Sequence, residues 1–314
     1  MRIVFMGTGE IGLPSLRTLI ADPGHEVVAV VTQPDRPAGR GQQLRPPEVK
    51  KVAQAEGIPV LQPQKLRAPE AVAELRAFAP DVIVVMAYGQ ILSREVLDLP
   101  TIACLNLHAS LLPRHRGAAP IQAAIVAGDQ ETGITVMYMA EGLDTGDILL
   151  MQSLPIRPEE TGGSLHDRLA ELAPEALRPA LKMLADGSAP RTPQEEALAT
   201  YAGRLKREDG RIDWSRPAGE IERWIRAMNP WPATLTEVPL AAGGSVRLKV
   251  FAAEVESDVS APPGTVISAQ GPGILVGAGS EAVLLRDIQG EGSRRMPAGE
   301  WQRGHAVAIG GVCG

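Results

Sequence analysis

What most restricts the fold of this chain is an alternation that runs from residue 1 to about residue 190. Short β-branched runs, RIVFM, EVVAVVT, DVIVVMAY and IACLNLH, are separated by helix-patterned stretches such as PPEVKKVAQAEG and APEAVAELRAF. Strands that are apolar along their whole length need cover on both faces, and strands joined through helices pair in parallel. The pattern therefore predicts a doubly wound, Rossmann-like α/β domain over 1–189. Two later runs, GITVMYM and DILLMQSLPI, lie close together and are expected to extend its sheet as a hairpin. The helical stretch SLHDRLAELAPEALRPALKMLADG then closes the domain, with Pro174 and Pro179 expected to break or kink it.

With 314 residues the chain has length for a second domain. The polar stretch over 190–208, which includes Pro190 and Pro193, reads as a linker. Beyond it, Ile221, Trp224, Ile225 and Met228 recur at helical spacing, and Asn229 to Pro232 end that helix. The runs VRLKVFAAEVE, GTVISAQ, GILVGAG and AVLLRDIQ follow, each bounded by glycine, proline or polar residues. They predict a small OB-like β-barrel over 209–314.

Composition narrows the functional classes. A formal charge of −6 opposes a uniformly basic surface, so any nucleic-acid contact has to come from local patches. Cys104 and Cys313 are the only cysteines, which leaves no disulfide framework or cysteine metal site. No HExxH or similar histidine pair is present, and no metal is expected. With neither a basic-then-apolar leader nor a run of roughly 18 apolar residues, the expectation is a cytoplasmic protein with no membrane association.

Residues 7–12, GTGEIG, carry the spacing of a dinucleotide fingerprint. That fingerprint also needs an acidic residue at the end of the second strand. Here the strand ends in Thr32 and Gln33, and Asp35 falls in the following loop. A tight strand-to-helix turn accounts for the glycines equally well.

The richest chemistry lies between Cys104 and Leu149. In a strand over 102–108 the two-residue period sends Leu105 and Leu107 to one face and Asn106 and His108 to the other. Both polar side chains then sit at the carboxyl end of a strand, where open α/β sheets bind ligands. Asparagine offers a donor for a developing oxyanion, and histidine can carry a proton at neutral pH. Asp144 and Asp147 lie between Gly142 and Gly146, in a loop flexible enough to bring a carboxylate back to the histidine. A single histidine at a strand end and acids between glycines also occur as plain structural features.

Beyond these local readings, LNLHASLLPRHRGAAPIQ together with LDTGDI resembles the signature of the folate-dependent formyltransferase family. The resemblance extends to TQPDRPAGRG, AYGQIL, YAGRLKREDGRIDW and RAMNPWPAT, and is nearest to the branch that acts on methionine carried by initiator tRNA. The sequence departs from that family's usual first glycine motif, GTPxFA, at Gly9, Ile11 and Gly12.

The resemblance implies formyl transfer from 10-formyltetrahydrofolate to the α-amino group of initiator methionyl-tRNA by a monomer. It assigns Asn106, His108 and Asp144 as the catalytic trio. Ser110, Leu111, Leu112 and Pro113 are expected against the folate, with Gly89, Gln90 and Leu92 near its pterin edge. For the tRNA it points to Arg40, flanked by Arg36 and Arg45, in a loop left mobile by Gly39 and Gly41. Arg204, Lys206, Arg207 and Arg211 form a second basic cluster in the linker region, with Lys206 and Arg207 its leading candidates. Rival readings are a formyltransferase for an amino sugar or nucleotide, a dinucleotide-dependent oxidoreductase, and a non-enzymatic RNA-binding protein.

Overall fold

A computed structural model describes residues 1–38 and 43–314. It divides into two compact units, one comprising Met1–Pro120, Glu131–Pro155 and His166–Ala202, the other Ile121–Gln130, Ile156–Leu165 and Gly203–Gly314.

The first unit is built on seven strands: β1 (Arg2–Gly7), β2 (Glu26–Val31), β3 (Val60–Leu61), β4 (Val82–Met86), β5 (Ala103–His108), β6 (Glu131–Tyr138) and β7 (Ile148–Pro155). They lie in the order β7-β6-β5-β4-β1-β2-β3. The pairs from β5 through β3 are parallel. The hairpin of β6 and β7 joins β5 antiparallel, as its closely spaced runs foretold. Central β4 is buried at every residue, whereas edge strand β7, after two buried residues, alternates between half-buried and exposed positions. These are the signatures of a strand covered on both faces and of an antiparallel strand with one wet face.

Helices α1 (Leu13–Ala21), α2 (Glu48–Ala55), α3 (Pro69–Ala77) and α4 (Arg94–Leu97) follow successive strands. A short hairpin pairs Arg36–Ala38 with Gln43–Arg45. Helix α5 spans Pro120–Ala127, and α6 runs unbroken over Gly162–Asp186 with both Pro174 and Pro179 inside it. The expected break is therefore absent. Leu169, Ala173, Ala176, Leu177 and Ala180 are fully buried along one side, and burial of such a face outweighs the backbone bonds that two prolines remove.

In the second unit, helix α7 (Ala218–Ala227) packs Ile221 and Ile225 into a core with Trp214, Val238, Leu248, Val250 and Leu285. Its sheet comprises β8 (Thr234–Pro239), β9 (Ser245–Glu256), β10 (Val266–Ser268), β11 (Ile274–Gly277), β12 (Ala282–Gly290) and β13 (Met296–Pro297). The order is β8-β9-β12-β11-β10, with β13 on β12. Every pair is antiparallel, and two register shifts interrupt β9 against β12 between Val250 and Ala253. Such shifts bend and twist a strand, and the result is a curled half-barrel of OB-like character.

Candidate active site

Strand β5 delivers the two polar side chains as its periodicity requires. Leu105 and Leu107 are buried at 0% and 3% exposure on one face, while half-buried Asn106 and buried His108 lie on the other at the carboxyl end. Across the antiparallel pairing His108 stands opposite Thr135. The Thr135 hydroxyl donates to the Ser110 carbonyl at 2.6 Å and accepts the Leu112 N–H at 3.1 Å. Ser110 is wholly buried, and its own hydroxyl donates to the Arg114 carbonyl at 2.6 Å. The stretch Ser110, Leu111, Leu112 and Pro113, with its cis Leu112–Pro113 bond, is thus tied down beside the site. Ser110 shapes this loop internally.

Asp144 returns to the end of β5. One carboxylate oxygen, Oδ2, accepts the Gly117 N–H at 2.8 Å and lies 3.6 Å from His108 Nδ1. The other, Oδ1, accepts from Asn106 Nδ2 at 3.4 Å. His108 Nε2 faces the His115 carbonyl at 2.9 Å. Both ring nitrogens therefore look at oxygen acceptors, and the ring donates to both only as the imidazolium. The side chains of His108 and Asp144 are 6% and 12% exposed, so a charge on either is little screened by solvent.

Gly142 and Gly146 serve close approach. A Cβ at Gly146 would lie 1.7 Å from the Tyr138 carbonyl oxygen, and one at Gly142 would lie 2.3 Å from Thr145 Oγ1. The aspartate is carried on a surface turn whose Gly146 end packs closely against Tyr138. Asp147 points elsewhere, 3.8 Å from Arg191.

Several supports of this arrangement escape the sequence reading. Gly117 has φ 115°, and a Cβ there would meet the Ala202 carbonyl oxygen at 2.4 Å, because Arg116–Gly117 pairs with Tyr201–Ala202. The Thr200 hydroxyl accepts the His115 N–H at 2.8 Å. Arg116, 1% exposed, binds Gln194 at 3.0 Å and both Glu196 oxygens at 3.1 and 2.9 Å. The proline-flanked polar composition around Gln194 and Thr200 carries no sign of these contacts.

Of the expected pterin-edge residues, Gly89 has φ 87° just beyond β4. Gln90 bridges the loop before α3, accepting the Leu66 N–H at 2.8 Å and donating to the Pro63 carbonyl at 3.1 Å. Leu92 is buried in the apolar core at 5% exposure. The side chains of Gln90 and Leu92 therefore hold the segment in place.

Arg36 and Arg45 are exposed and face each other in register at the base of the short hairpin. Arg40 lies outside the described residues, as does the tip that Gly39 and Gly41 are expected to leave mobile. Lys50 is bound by Asp35 at 2.9 Å and by Gln62 at 2.7 Å, and Lys51 by Glu48 at 2.6 Å, which removes both from the free cations of that stretch. In the second unit Lys206 and Arg207 are exposed at the start of a 3-10 turn over Arg207–Gly210.

The same lysine cluster bears on the glycine motif. Gly7 abuts β4, where a Cβ would lie 2.9 Å from the Met86 carbonyl oxygen, and Gly12 caps α1. Asp35 is engaged by Gln62 and Lys50, whose hydrogen bonds hold its carboxyl below the usual carboxylate range. Gln33 donates to the Tyr88 carbonyl at 3.3 Å. The polar groups at the end of β2 thus satisfy one another. Among the described residues no group of three or more His, Cys, Asp and Glu is placed to hold a metal ion, and no helix is long and apolar enough to cross a membrane.

A mixed α/β sheet with a histidine, an asparagine and an aspartate gathered at the carboxyl end of β5, followed by an antiparallel half-barrel, is the arrangement that the resemblance to the formyltransferase class implies. Residues 1–181 match the formyl transferase family and residues 204–306 match its C-terminal domain, and the chain belongs to that family. It is 50% identical over 306 residues to the methionyl-tRNA formyltransferase of Akkermansia muciniphila, with 97% of each chain covered. Solved structures share the fold at lower identity. A methionyl-tRNA formyltransferase from Clostridium thermocellum superposes with a TM-score of 0.53 at 18% identity, covering 82% of this chain and 94% of its own. The sugar 3N-formyl transferase WlaRD, in the presence of dTDP and 5-N-formyl-THF, gives 0.66 at 15% identity, covering 94% and 99%.

Proposed function

We infer that this protein formylates the α-amino group of methionine esterified to initiator tRNA, with 10-formyltetrahydrofolate as formyl donor, and that it acts as a cytoplasmic monomer. The reading divides the chain into a catalytic portion over 1–189, a connecting segment over 190–208 and a tRNA-contacting portion over 209–314. The observation that carries it is the meeting of Asn106, His108 and Asp144 at the end of β5, in a chain half identical along its length to a methionyl-tRNA formyltransferase.

In this reaction the amine nitrogen bonds to the formyl carbon, the bond from that carbon to N10 breaks, and a proton passes from the amine to N10. The Asn106 amide has two N–H donors, of which Asp144 engages one at 3.4 Å. The second is available to the formyl oxygen as negative charge builds on it. His108 is assigned the proton transfer, which requires its Nε2 to exchange the His115 carbonyl for the substrate, while Asp144 faces Nδ1 and holds the ring in orientation. Because the Gly117 N–H fixes the carboxylate and the His115 carbonyl fixes the ring, these groups are set before substrate arrives. Ser110, Leu111, Leu112 and Pro113, with the segment of Gly89, Gln90 and Leu92, are assigned to the folate. Arg36, Arg40, Arg45, Lys206 and Arg207 are assigned to tRNA phosphates.

The direct test incubates the protein with 10-formyltetrahydrofolate and initiator methionyl-tRNA and assays formylmethionine by mass spectrometry. Uncharged tRNA, free methionine and a nucleotide-linked amino sugar serve as parallel acceptors. Formylmethionine from the charged tRNA alone is expected. Formylation of the amino sugar with none on the tRNA would replace this reading by its rival.

A further inference from the structure

Gln194 is the hub of a hydrogen-bond set that ends on Asp144. Its Nε2 donates to the carbonyl oxygens of Asp144 and Gly146, both at 2.8 Å, and its Oε1 accepts from Arg116 Nε at 3.0 Å. Both donors and the carbonyl of the amide are therefore engaged. The reverse orientation would set oxygen against two carbonyls and the amino group against a guanidinium, so the network admits only one.

The held residue needs holding. Asp144 has φ 52°, in the left-handed region that non-glycine residues leave readily unless tied. Its carboxylate is caught by the Gly117 N–H and its backbone carbonyl by Gln194, so it is gripped at both ends. The two grips share an origin. Arg116 precedes Gly117 in the chain and binds Gln194 through its side chain, and it is itself fixed by Glu196 at 2.9 Å while only 1% exposed.

We propose that Gln194 is a positioning residue for formyl transfer, clamping the turn at Asp144 and Gly146 so that Asp144 keeps its place against His108 and Asn106. It touches no reacting atom. The proposal rests on the reading of those three residues as the catalytic trio, and it predicts an effect on turnover rather than on substrate binding.

The test uses the full-length protein with methionyl-tRNA and the folate donor. Gln194→Met keeps the length and removes every hydrogen bond. Gln194→Glu keeps the acceptor for Arg116 but sets a carboxylate oxygen against the two carbonyls. Both variants are expected to lose kcat by about tenfold or more, with KM for each substrate changed less than about twofold. In an Asp144→Asn background, Gln194→Met should cost less than about a further twofold, because the effect passes through Asp144.

Normal turnover of Gln194→Glu would overturn the proposal by showing that only the Arg116 contact matters. A rise in KM at unchanged kcat would overturn it in favour of a binding role. An undiminished loss in the Asp144→Asn background, or failure of both single variants to fold, would make the residue structural. If the unsubstituted protein does not formylate methionyl-tRNA, the functional reading fails instead, and the control shows which of the two has failed.

Discussion

In the proposed mechanism Asn106, His108 and Asp144 make separable demands on the reaction, and single substitutions distinguish them. Asn106→Ala removes one donor to the formyl oxygen and should lower kcat by about 10² to 10³. His108→Ala and Asp144→Ala should each lower it by about 10² or more, the scale of a general acid-base group and its orienting partner. Folate affinity, measured by equilibrium titration, should persist in all three. Near-normal turnover in both the His108 and Asp144 variants would remove the assignment. A loss of folate affinity with turnover intact at saturation would make Asn106 a binding residue. The first two residues were legible from period-two alternation alone, since Leu105 and Leu107 are buried on one face and leave Asn106 and His108 to the other. Asp144 was legible through resemblance, because nothing local predicts which acid in a turn will return to a strand 36 residues earlier. The Gly117 N–H and the Gln194 amide were not legible. A backbone donor has no side-chain signature, and a glutamine in a polar segment looks like solvent-facing chain.

At the level of elements, long apolar runs were readable and short or interrupted ones were not. β4 is an unbroken run of buried residues, and its strand character follows from composition. β3 is only Val60–Leu61, and β8 alternates buried and open positions just beyond the proline-rich end of α7. The first is too short to stand out, and the second, though six residues long, is interrupted by polar positions. Helix α6 misleads in the opposite direction, since two interior prolines read locally as breaks while tertiary burial keeps the helix whole. That conflict is measurable. At Pro179, which is half-buried, alanine restores an N–H able to bond the Glu175 carbonyl and removes the ring's clash with it. Against a helix penalty of about 3 kcal/mol stands the unfolded-state advantage of proline, about 1 kcal/mol. Pro179→Ala is therefore expected to stabilise the protein by about 1–2 kcal/mol, read as a higher urea midpoint at unchanged slope. A lower midpoint would show that packing of the proline ring outweighs the regained hydrogen bond.

For the molecule as a whole the question raised by the proposed function is how a chain with 31 basic and 37 acidic side chains would engage a polyanion. A net charge of −6 gives no general attraction, so affinity for tRNA has to rest on a few local cations whose counter-ions lie elsewhere. Lys50 and Lys51 are already committed to Asp35, Gln62 and Glu48. Arg36 and Arg45 are exposed register partners across a two-strand hairpin, Arg36 donating to the neutral Gln33 amide at 3.3 Å, so their charges remain open to an anion. Each phosphate contact adds about 0.7–0.9 to the slope of log affinity against log salt. KM for methionyl-tRNA should therefore rise steeply with potassium chloride while KM for the folate stays nearly level. Arg36→Ala and Arg45→Ala should each flatten the tRNA slope by about one unit and leave kcat at saturating tRNA unchanged. The decisive comparison is the double substitution. A slope lower by about two units assigns these arginines to phosphate contacts, whereas an unaltered slope would move the contacts to other cations, with Arg40, Lys206 and Arg207 next in line.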